Sequence, residues 1–266
     1  MRRRTAALAA ALVLCRLAGS ATAQGSRRVA LLIGNASYGE GALRNPINDV
    51  RAIAPLLQAA GFAVATRENL KSGEMRDALR TFVLTHRADD VRLVYYAGHG
   101  LQMRGRSYLL PIGARVANEG DLLATAIDAT ELVEQLGEIR HGANLVVIDA
   151  CRVPPVFQVG ARDLWAARPG LAPVAAPRGT VVAFSTRPGQ VARDGAEGTL
   201  GVYARHFTRA LQEQPQLPVE VFLKRVRAGV SAETRNRQVP WESSDLNGEL
   251  CFRPNVDGRC RRTPSG

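Results

Sequence analysis

The sequence predicts one α/β domain in which a mostly parallel β-sheet carries helices on both faces. Short apolar runs typical of buried strands alternate with segments of helical periodicity, as in successive β-α-β units. Two chemically active residues, His99 and Cys151, each stand at the end of such a strand, where functional groups gather in parallel sheets. The 266 residues are 46% hydrophobic, which is enough apolar material for one sizeable core.

Three strands and two helices are predicted in the first hundred residues. The strand-forming runs are short and rich in apolar, β-branched or aromatic residues, and they cover 28–33, 62–66 and 93–96. Asn48 is the expected N-cap of the first helix, because apolar residues recur after it at helical spacing until Gly61. By the same criterion, Ser72 opens the second helix.

The rest of the chain continues the alternation around one irregular segment. A hairpin turning at Arg104-Gly105 is predicted within 101–110. The later strands are predicted at 144–148 and 180–184, the later helices from Asp128 or Thr130, over 203–212 and over 219–232, and a closing turn and strand within 240–252. Five prolines break any periodicity over 152–179, and a segment of that length is either functional or disordered.

The first 23 residues are predicted to be a bacterial-type secretory signal peptide. Three arginines precede an apolar run over 6–15, and the small residues at 21–23 fit cleavage after Ala23. Arg16 makes the apolar run too short and too charged for a spanning helix, and Leu14 before Cys15 argues against lipidation. We therefore expect a periplasmic or secreted protein with no stable membrane insertion after signal removal.

The charge of the chain is strongly positive and almost entirely due to arginine. The net charge is +11, and Lys71 and Lys224 are the only lysines. Loss of the signal peptide lowers the basic residues from 35 to 31 against 24 acidic ones. The arginines are scattered, without the basic cluster and interleaved aromatic residues of nucleic-acid grooves. We expect a solvated basic surface and no nucleic-acid partner.

Three cysteines remain after the predicted export. Cys251 and Cys260 lie close together near the C-terminus and are candidates for a disulfide in an oxidising compartment. The alternative is a buried cysteine beside a free cysteine in the tail. Cys151 is then an unpaired thiol, which in an exported protein needs a functional reason.

His99 and Cys151 form the candidate catalytic pair, because both stand at carboxyl ends of predicted parallel strands. A cysteine acts as a nucleophile when a neighbour stabilises its thiolate and acid–base help is within reach, and histidine supplies both. The remaining histidines are predicted in helix ends or loops and are interpreted as surface residues: His86, His141 and His206.

Six segments resemble, in the same order, those of bacterial caspase-like peptidases of family C14, the metacaspase and orthocaspase group. They are "VALLIGNASY", "NPINDV", "YYAGHG", "IDACR", "FSTRPGQVARDG" and "QVPWESSDLNGEL", and together they span 28–252. "DACRV" keeps the Ala-Cys-Arg of the caspase signature, with a histidine about 50 residues upstream. The resemblance implies a caspase-like three-layer fold, which we expect over 27–254 with a tail at 255–266.

The resemblance also implies a cysteine endopeptidase with a dyad of His99 and Cys151. In the family, the oxyanion is held by backbone N–H groups that correspond to Gly100 and Cys151, in keeping with the need for preorganised donors. The alternative is a catalytically silent caspase-like domain that binds peptides or serves as a scaffold. A nucleotide-binding module is disfavoured, because "LLIGNASYGEG" has neither G-x-G-x-x-G nor the G-K-[ST] of a P-loop.

Two carboxylates suggest the substrate preference. Asp149 stands two residues before Cys151, where the caspase signature has glutamine, and Asp49 matches an acidic residue that metacaspases contribute to the same pocket. Such a pair suits an arginine or lysine side chain at the cleaved bond. The alternatives are that Asp49 stabilises a helix N-terminus and that Asp149 ties down a loop.

In caspase-like proteins, the connection after the nucleophile is often cut during activation. Arginines in this irregular segment are Arg152, Arg162, Arg168 and Arg178. We expect self-cleavage after one or more of these arginines in an exposed segment, with Arg162 and Arg168 favoured because they lie farthest from the strand ends. The alternative is that these arginines reflect composition alone and that the segment packs down as a lid.

This chain departs from the family pattern at three points. Val153-Pro154-Pro155 replaces the usual residues after the nucleophile, and Ala97 stands where metacaspases often have serine. The acidic cluster of calcium-dependent relatives has no counterpart that we can place. We therefore expect no metal. We also expect no other cofactor, a peptide or protein substrate, and a monomeric protein.

Overall fold

The computed structural model describes residues 26–262 except 40, 86, 140, 151–166, 169, 191, 193 and 197–198. The strands in this part of the chain are β1 (Arg28–Gly34), β2 (Ala63–Glu68), β3 (Val91–Gly98), β4 (Gly100–Met103), β5 (Arg106–Leu109), β6 (Ile127–Asp128), β7 (Ala143–Ala150), β8 (Ala167–Arg168), β9 (Thr180–Phe184) and β10 (Trp241–Ser244). The helices are α1 (Pro46–Ala59), α2 (Ser72–Thr85), α3 (Glu119–Thr125), α4 (Ala129–Gly137), α5 (Val202–Glu213) and α6 (Val219–Glu233).

Among the described strands, a central sheet of six has the order β10-β9-β7-β3-β1-β2. Neighbours are parallel except for β10, which runs antiparallel to β9. Successive side chains of a strand point to opposite faces, so Leu32 and Tyr95 belong to the cluster under α1, α5 and α6, whereas Ile33 and Tyr96 belong to the cluster under α2 and α4. The predicted three-layer α/β fold is confirmed.

A second, smaller sheet of four described strands has the order β6-β5-β4-β8 and is antiparallel throughout. Its central hairpin joins β4 to β5 through Arg104 and Gly105, whose φ angles are 49° and 77°. Positive φ at both turn residues matches the right-handed twist of the strands. The predicted hairpin and its turning point are therefore confirmed.

Helix α1 begins earlier than the sequence pattern predicted. Pro46 occupies its first turn and Asn45 is the N-cap, so Asn48 lies inside the helix and the prediction of Asn48 as the cap is wrong. Proline is favoured at the first helical position because its missing N–H has no partner there in any case. The helix predicted from Asp128 or Thr130 is α4, which Asp128 caps by accepting the N–H groups of Thr130 and Glu131.

The C-terminal region differs from the prediction in its order. The final strand, β10, precedes the turn, and residues 249–252 form no strand. Cys251 and Cys260 are joined by a disulfide with their Cα atoms 5.6 Å apart, and both residues are buried. Of the two alternatives that the sequence left open, the disulfide is the one in the structure.

Residues 1–25, on which the signal-peptide prediction rests, lie outside the described residues. Within the part that is described, no helix combines the length and apolar character needed to cross a bilayer.

Candidate active site

Strands β3 and β7 bring the two candidate catalytic positions to one edge of the sheet. The strands are parallel neighbours, with Ala97 opposite Asp149 and Gly98 opposite Ala150. His99 follows Gly98 directly, so it lies just beyond the end of β3 and beside the end of β7. Cys151 is the next residue after β7, and it lies outside the described residues.

His99 is 1% exposed and is held at its backbone and at its ring. Its N–H donates to the Tyr38 hydroxyl over 3.0 Å, and its carbonyl accepts from the Tyr96 hydroxyl at 2.8 Å and from the Leu110 N–H at 2.9 Å. The Nε2 atom lies 2.7 Å from the Gly41 carbonyl oxygen. A carbonyl can only accept, so Nε2 carries the ring proton and Nδ1 is the basic nitrogen.

The glycines on either side of His99 are required by close packing. A Cβ on Gly98 would lie 2.6 Å from the hydroxyl oxygens of both Tyr38 and Tyr96. A Cβ on Gly100 would lie 2.9 Å from Cδ2 of Leu171 and 3.2 Å from Cβ of Ala150. These glycines therefore allow other groups to approach the backbone around His99, which explains the Gly-His-Gly sequence.

Asp49 lies in the first turn of α1 and is 3% exposed. Its Oδ1 accepts the Gly201 N–H at 2.8 Å. Burial and, secondly, the charge of Asp149 raise the pKa of Asp49 to about 8. The alternative role at a helix N-terminus is thus geometrically present, but the buried carboxyl group also lies within the electrostatic reach of a second one.

Asp149 lies near the end of β7, and its Oδ2 accepts the Tyr95 hydroxyl at 3.1 Å. Burial raises the pKa of Asp149 to about 6, although the nearby Ser185 hydroxyl and the hydrogen bond from Tyr95 favour the ionised form. Two carboxyl groups with raised pKa values in one region of low dielectric make a place where a cation is stabilised.

Asp194 is an acidic residue of this region that the sequence reasoning did not assign. Its negative charge contributes to the raised pKa values of both Asp49 and Asp149. Its two carboxylate oxygens accept the backbone N–H groups of Arg44 at 2.8 Å and of Asn45 at 3.3 Å. The signal was present in "FSTRPGQVARDG", a segment that we matched to the family without asking what its aspartate does.

Two tyrosines line the same region. The Tyr95 hydroxyl binds Asp149, whereas the buried Tyr203 hydroxyl has no hydrogen-bond partner among the described residues. Burial and then the charge of Asp149 raise the pKa of Tyr203 well above its usual range. A buried donor beside carboxylates adds to the polar character of this region.

The arginines proposed for self-cleavage fall in different places. Arg152 and Arg162 lie outside the described residues. Arg168 belongs to β8, where it is paired with Gln102 of β4, and Arg178 is exposed just before β9. Leu171, Ala172 and Val174 are buried, so the described end of the irregular segment is packed against the domain.

No group of three or more histidine, cysteine, aspartate or glutamate side chains in the described ranges is arranged to hold a metal ion. The three carboxylates near the sheet edge are thus not such a cluster, and they accept hydrogen bonds from backbone N–H groups and a tyrosine hydroxyl.

Comparison with known proteins identifies the family. The family model described as Peptidase_C14, caspase domain, matches residues 27–251. The chain is also similar to mucosa-associated lymphoid tissue lymphoma translocation protein 1 of Homo sapiens, with 32% identity over 126 residues, and to its Mus musculus homologue, with the same identity and length. The match covers 47% of this chain but only 15% of each relative.

Proposed function

This chain belongs to the caspase-domain family of peptidases, and we propose that it is a cysteine endopeptidase with Cys151 as nucleophile and His99 as general base and acid. The observation that carries the proposal is the setting of His99. It is buried at the end of β3, level with the end of β7, and its Nε2 is bound to the Gly41 carbonyl. In the proposal, that bond leaves Nδ1 as the nitrogen that takes a proton from the Cys151 thiol and gives it to the leaving amine.

In the proposed reaction, Nδ1 of His99 takes the proton of the Cys151 thiol, and the thiolate attacks the carbonyl carbon of the scissile peptide bond. The backbone N–H groups of Gly100 and Cys151 are the proposed donors to the oxyanion. His99 then gives its proton to the leaving amine, which breaks the C–N bond and leaves a thioester. Water hydrolyses the thioester with His99 again as the base.

The Gly41 carbonyl has a defined part in this cycle. When Nδ1 accepts a proton, the positive charge of the imidazolium is shared with the Nε2–H group, which already points at the carbonyl oxygen. A fixed dipole that faces the developing charge stabilises it without reorganisation. This carbonyl would therefore take the orienting and stabilising role that a buried carboxylate takes in serine-peptidase triads.

We propose further that the substrate residue at the cleaved bond is arginine or lysine, bound by Asp49 and Asp149 with a contribution from Asp194. The raised pKa values of Asp49 and Asp149 support this, because they mark buried carboxyl groups whose ionised forms need a positive partner. Arginine fits best, since its planar guanidinium binds carboxylates bidentately, and an aspartate side chain would be repelled.

We also propose that the enzyme works as an exported monomer without a cofactor on peptide or protein substrates. The disulfide between Cys251 and Cys260 supports the exported location, because disulfides persist in oxidising compartments and are rare in reducing ones.

The decisive experiment compares wild-type protein with Cys151→Ala and His99→Ala on fluorogenic peptides that end in Arg, Lys or Asp at the cleaved bond. We expect wild-type protein to hydrolyse the Arg peptide and both variants to be inactive. Thermal unfolding should be nearly unchanged in Cys151→Ala and should occur at lower temperature in His99→Ala, which loses a buried side chain. A thiol-directed probe carrying arginine should label wild-type protein at Cys151. Peptide binding without hydrolysis or labelling would instead indicate a silent binding domain.

A further inference from the structure

Tyr38 holds His99 from two sides. Its hydroxyl oxygen accepts the His99 backbone N–H at 3.0 Å, and its ring lies against the imidazole with the ring centroids 4.3 Å apart and tilted by 53°. We propose that Tyr38 is a positioning residue for the general base, an inference that rests on the proposed cysteine-peptidase function.

The Tyr38 hydroxyl has a carbonyl acceptor for its own hydrogen. It donates its hydrogen to the Leu110 carbonyl over 2.9 Å, which directs an oxygen lone pair to the His99 N–H. The Tyr96 hydroxyl lies 3.2 Å away, and its single hydrogen is within reach of both the His99 carbonyl at 2.8 Å and the Leu110 carbonyl at 2.7 Å. The two hydroxyls therefore contact the two backbone groups of His99, and both lie 2.6 Å from the position that a Cβ on Gly98 would take.

The loop between β1 and α1 supplies both the Tyr38 side chain and the Gly41 carbonyl that binds Nε2 of His99. Its start is fastened by Asn69, whose Oδ1 accepts the N–H groups of Ala36 at 2.9 Å and Ser37 at 3.0 Å. The restraints on the backbone N–H, the ring face and the ring nitrogen of His99 thus come from one anchored loop.

Proton transfer depends on these restraints, because Nδ1 must stay aimed at its partner while the imidazole changes charge. Removal of the Tyr38 hydroxyl leaves the buried His99 N–H without its acceptor, which is costly to the arrangement. Removal of the Tyr38 ring also takes away its packing against the His99 imidazole, so the imidazole can rotate more freely. Burial raises the pKa of Tyr38 to about 12, so its phenol stays neutral and acts through geometry, not through its own titration.

The test compares Tyr38→Phe, Tyr38→Leu and the control Tyr108→Phe, which removes a hydroxyl beside Arg106 and Asp128 on the neighbouring hairpin. We expect kcat on an arginine peptide to fall about tenfold in Tyr38→Phe and about a hundredfold in Tyr38→Leu, with KM changed less than about twofold. The partial activity of Tyr38→Phe would show that the ring contact counts separately from the hydroxyl. The control should match wild type.

A second measurement does not need activity. The chain has four histidines, so ¹⁵N-histidine NMR spectra of wild type and His99→Ala identify the His99 signals. We expect wild-type His99 to carry its proton on Nε2, and Tyr38→Leu to show a mixture of both tautomers and a shifted titration midpoint. Tyr38→Phe decides the question if Tyr38→Leu does not fold.

The outcomes separate the two proposals. Active wild-type protein with unchanged kcat and unchanged His99 tautomer in both Tyr38 variants overturns the role of Tyr38, and so does a loss expressed in KM alone. Wild-type protein that is inactive on every peptide overturns the proposed function, whereas the tautomer shift in Tyr38→Leu would still support the positioning of His99 by Tyr38.

Discussion

The backbone N–H of Gly201, at the start of α5, donates to Oδ1 of Asp49 in the first turn of α1 over 2.8 Å. A Cβ on Gly201 would lie 2.9 Å from the other carboxylate oxygen of Asp49. The hydrogen bond links two helices that pack side by side, and it fixes the direction of a carboxyl group that we propose to bind substrate.

Asp49→Asn separates the charge of this group from its hydrogen bond. The amide oxygen still accepts the Gly201 N–H, so we expect the fold to be retained and unfolding in urea to be unchanged or shifted to higher urea. We expect KM for an arginine peptide to rise at least about tenfold, because a charge-assisted bond contributes about 1.5–3 kcal/mol. A variant with wild-type KM would remove Asp49 from the substrate pocket.

The stability of the free protein should fall as pH rises from about 5 to about 8. The pKa of Asp49 is raised from 3.8 to about 8 and that of Asp149 from 3.8 to about 6. In that window the folded state therefore binds more protons than the unfolded state, and the free energy of unfolding decreases with pH.

The free energy of unfolding should decrease by at most about 1.4 kcal/mol per pH unit for each proton involved. Urea titrations at several pH values measure it, and Asp49→Asn should flatten the slope between about pH 6 and about pH 8. Asp90 contributes to the pH dependence of stability with the opposite sign. Although it is buried, its ion pair with Arg27 lowers its pKa. The stability that its ionised form provides is therefore lost only at lower pH. An equal slope in wild type and Asp49→Asn would contradict the assignment.

The affinity for an arginine peptide should change with pH in the opposite direction. A guanidinium binds the ionised carboxylates, so at pH values below the raised pKa of Asp49 its binding must first displace a proton. KM should therefore fall as pH rises from about 6 to about 8, and the dependence should weaken in Asp49→Asn. A peptide with a neutral residue at the cleaved bond is the control, since its KM should lack this dependence.

Loss of the disulfide should cost stability without touching the proposed chemistry. Cys251 and Cys260 are nine positions apart in sequence, and closing a loop of that size contributes about 2–3 kcal/mol. The double variant Cys251→Ser/Cys260→Ser should unfold at correspondingly lower urea and become insensitive to reductant, whereas Cys151→Ala should keep wild-type stability. A reductant effect of equal size in the double variant would contradict a role for this bond.

Of the two favoured self-cleavage sites, the bond after Arg162 should be cut in preference to the bond after Arg168. Arg168 is paired with Gln102 in the small sheet, so its peptide bond can enter an active site only after β8 separates from β4. Intact-mass analysis of wild-type protein, Arg162→Ala and Arg168→Ala should show the first variant uncut and the second cut as in wild type. Equal cleavage of Cys151→Ala would mean that another protease is responsible.

The parts of the fold that the sequence predicted well are those in which one local signal decides the structure. The apolar run 180–184 coincides with β9, and the predicted turn at Arg104-Gly105 is the one in the structure. The start of α1 was misplaced because Asn45 and Asn48 are both acceptable caps, and Pro46 after Asn45 should have decided between them. The short elements α3, β6 and β8 were not predicted, because they have too few residues for a periodic pattern.

The candidate site was predicted where residues lie at strand ends or, like Asp49, in a segment that resembles the family. His99 was found because it ends β3, and Asp149 because it precedes the expected nucleophile. Gly41 acts through its carbonyl oxygen, which every residue possesses, so its identity carries no chemical signal. Tyr38 contacts a residue 61 positions away in the sequence, and only the folded chain reveals that contact.

Asn45 is fully buried and connects the β1–α1 loop to the segment around Asp194. Its side-chain amide donates to the carbonyl oxygens of Asp194 and Ala196, while the other end of the same loop reaches His99 through Tyr38 and Gly41. An inserted or deleted residue between Gly34 and Pro46 would move one of these attachments relative to the other. Among homologues, the length of this loop should therefore vary far less than the identities of its solvent-exposed residues. Engineered variants should likewise keep the number of residues between Gly34 and Pro46.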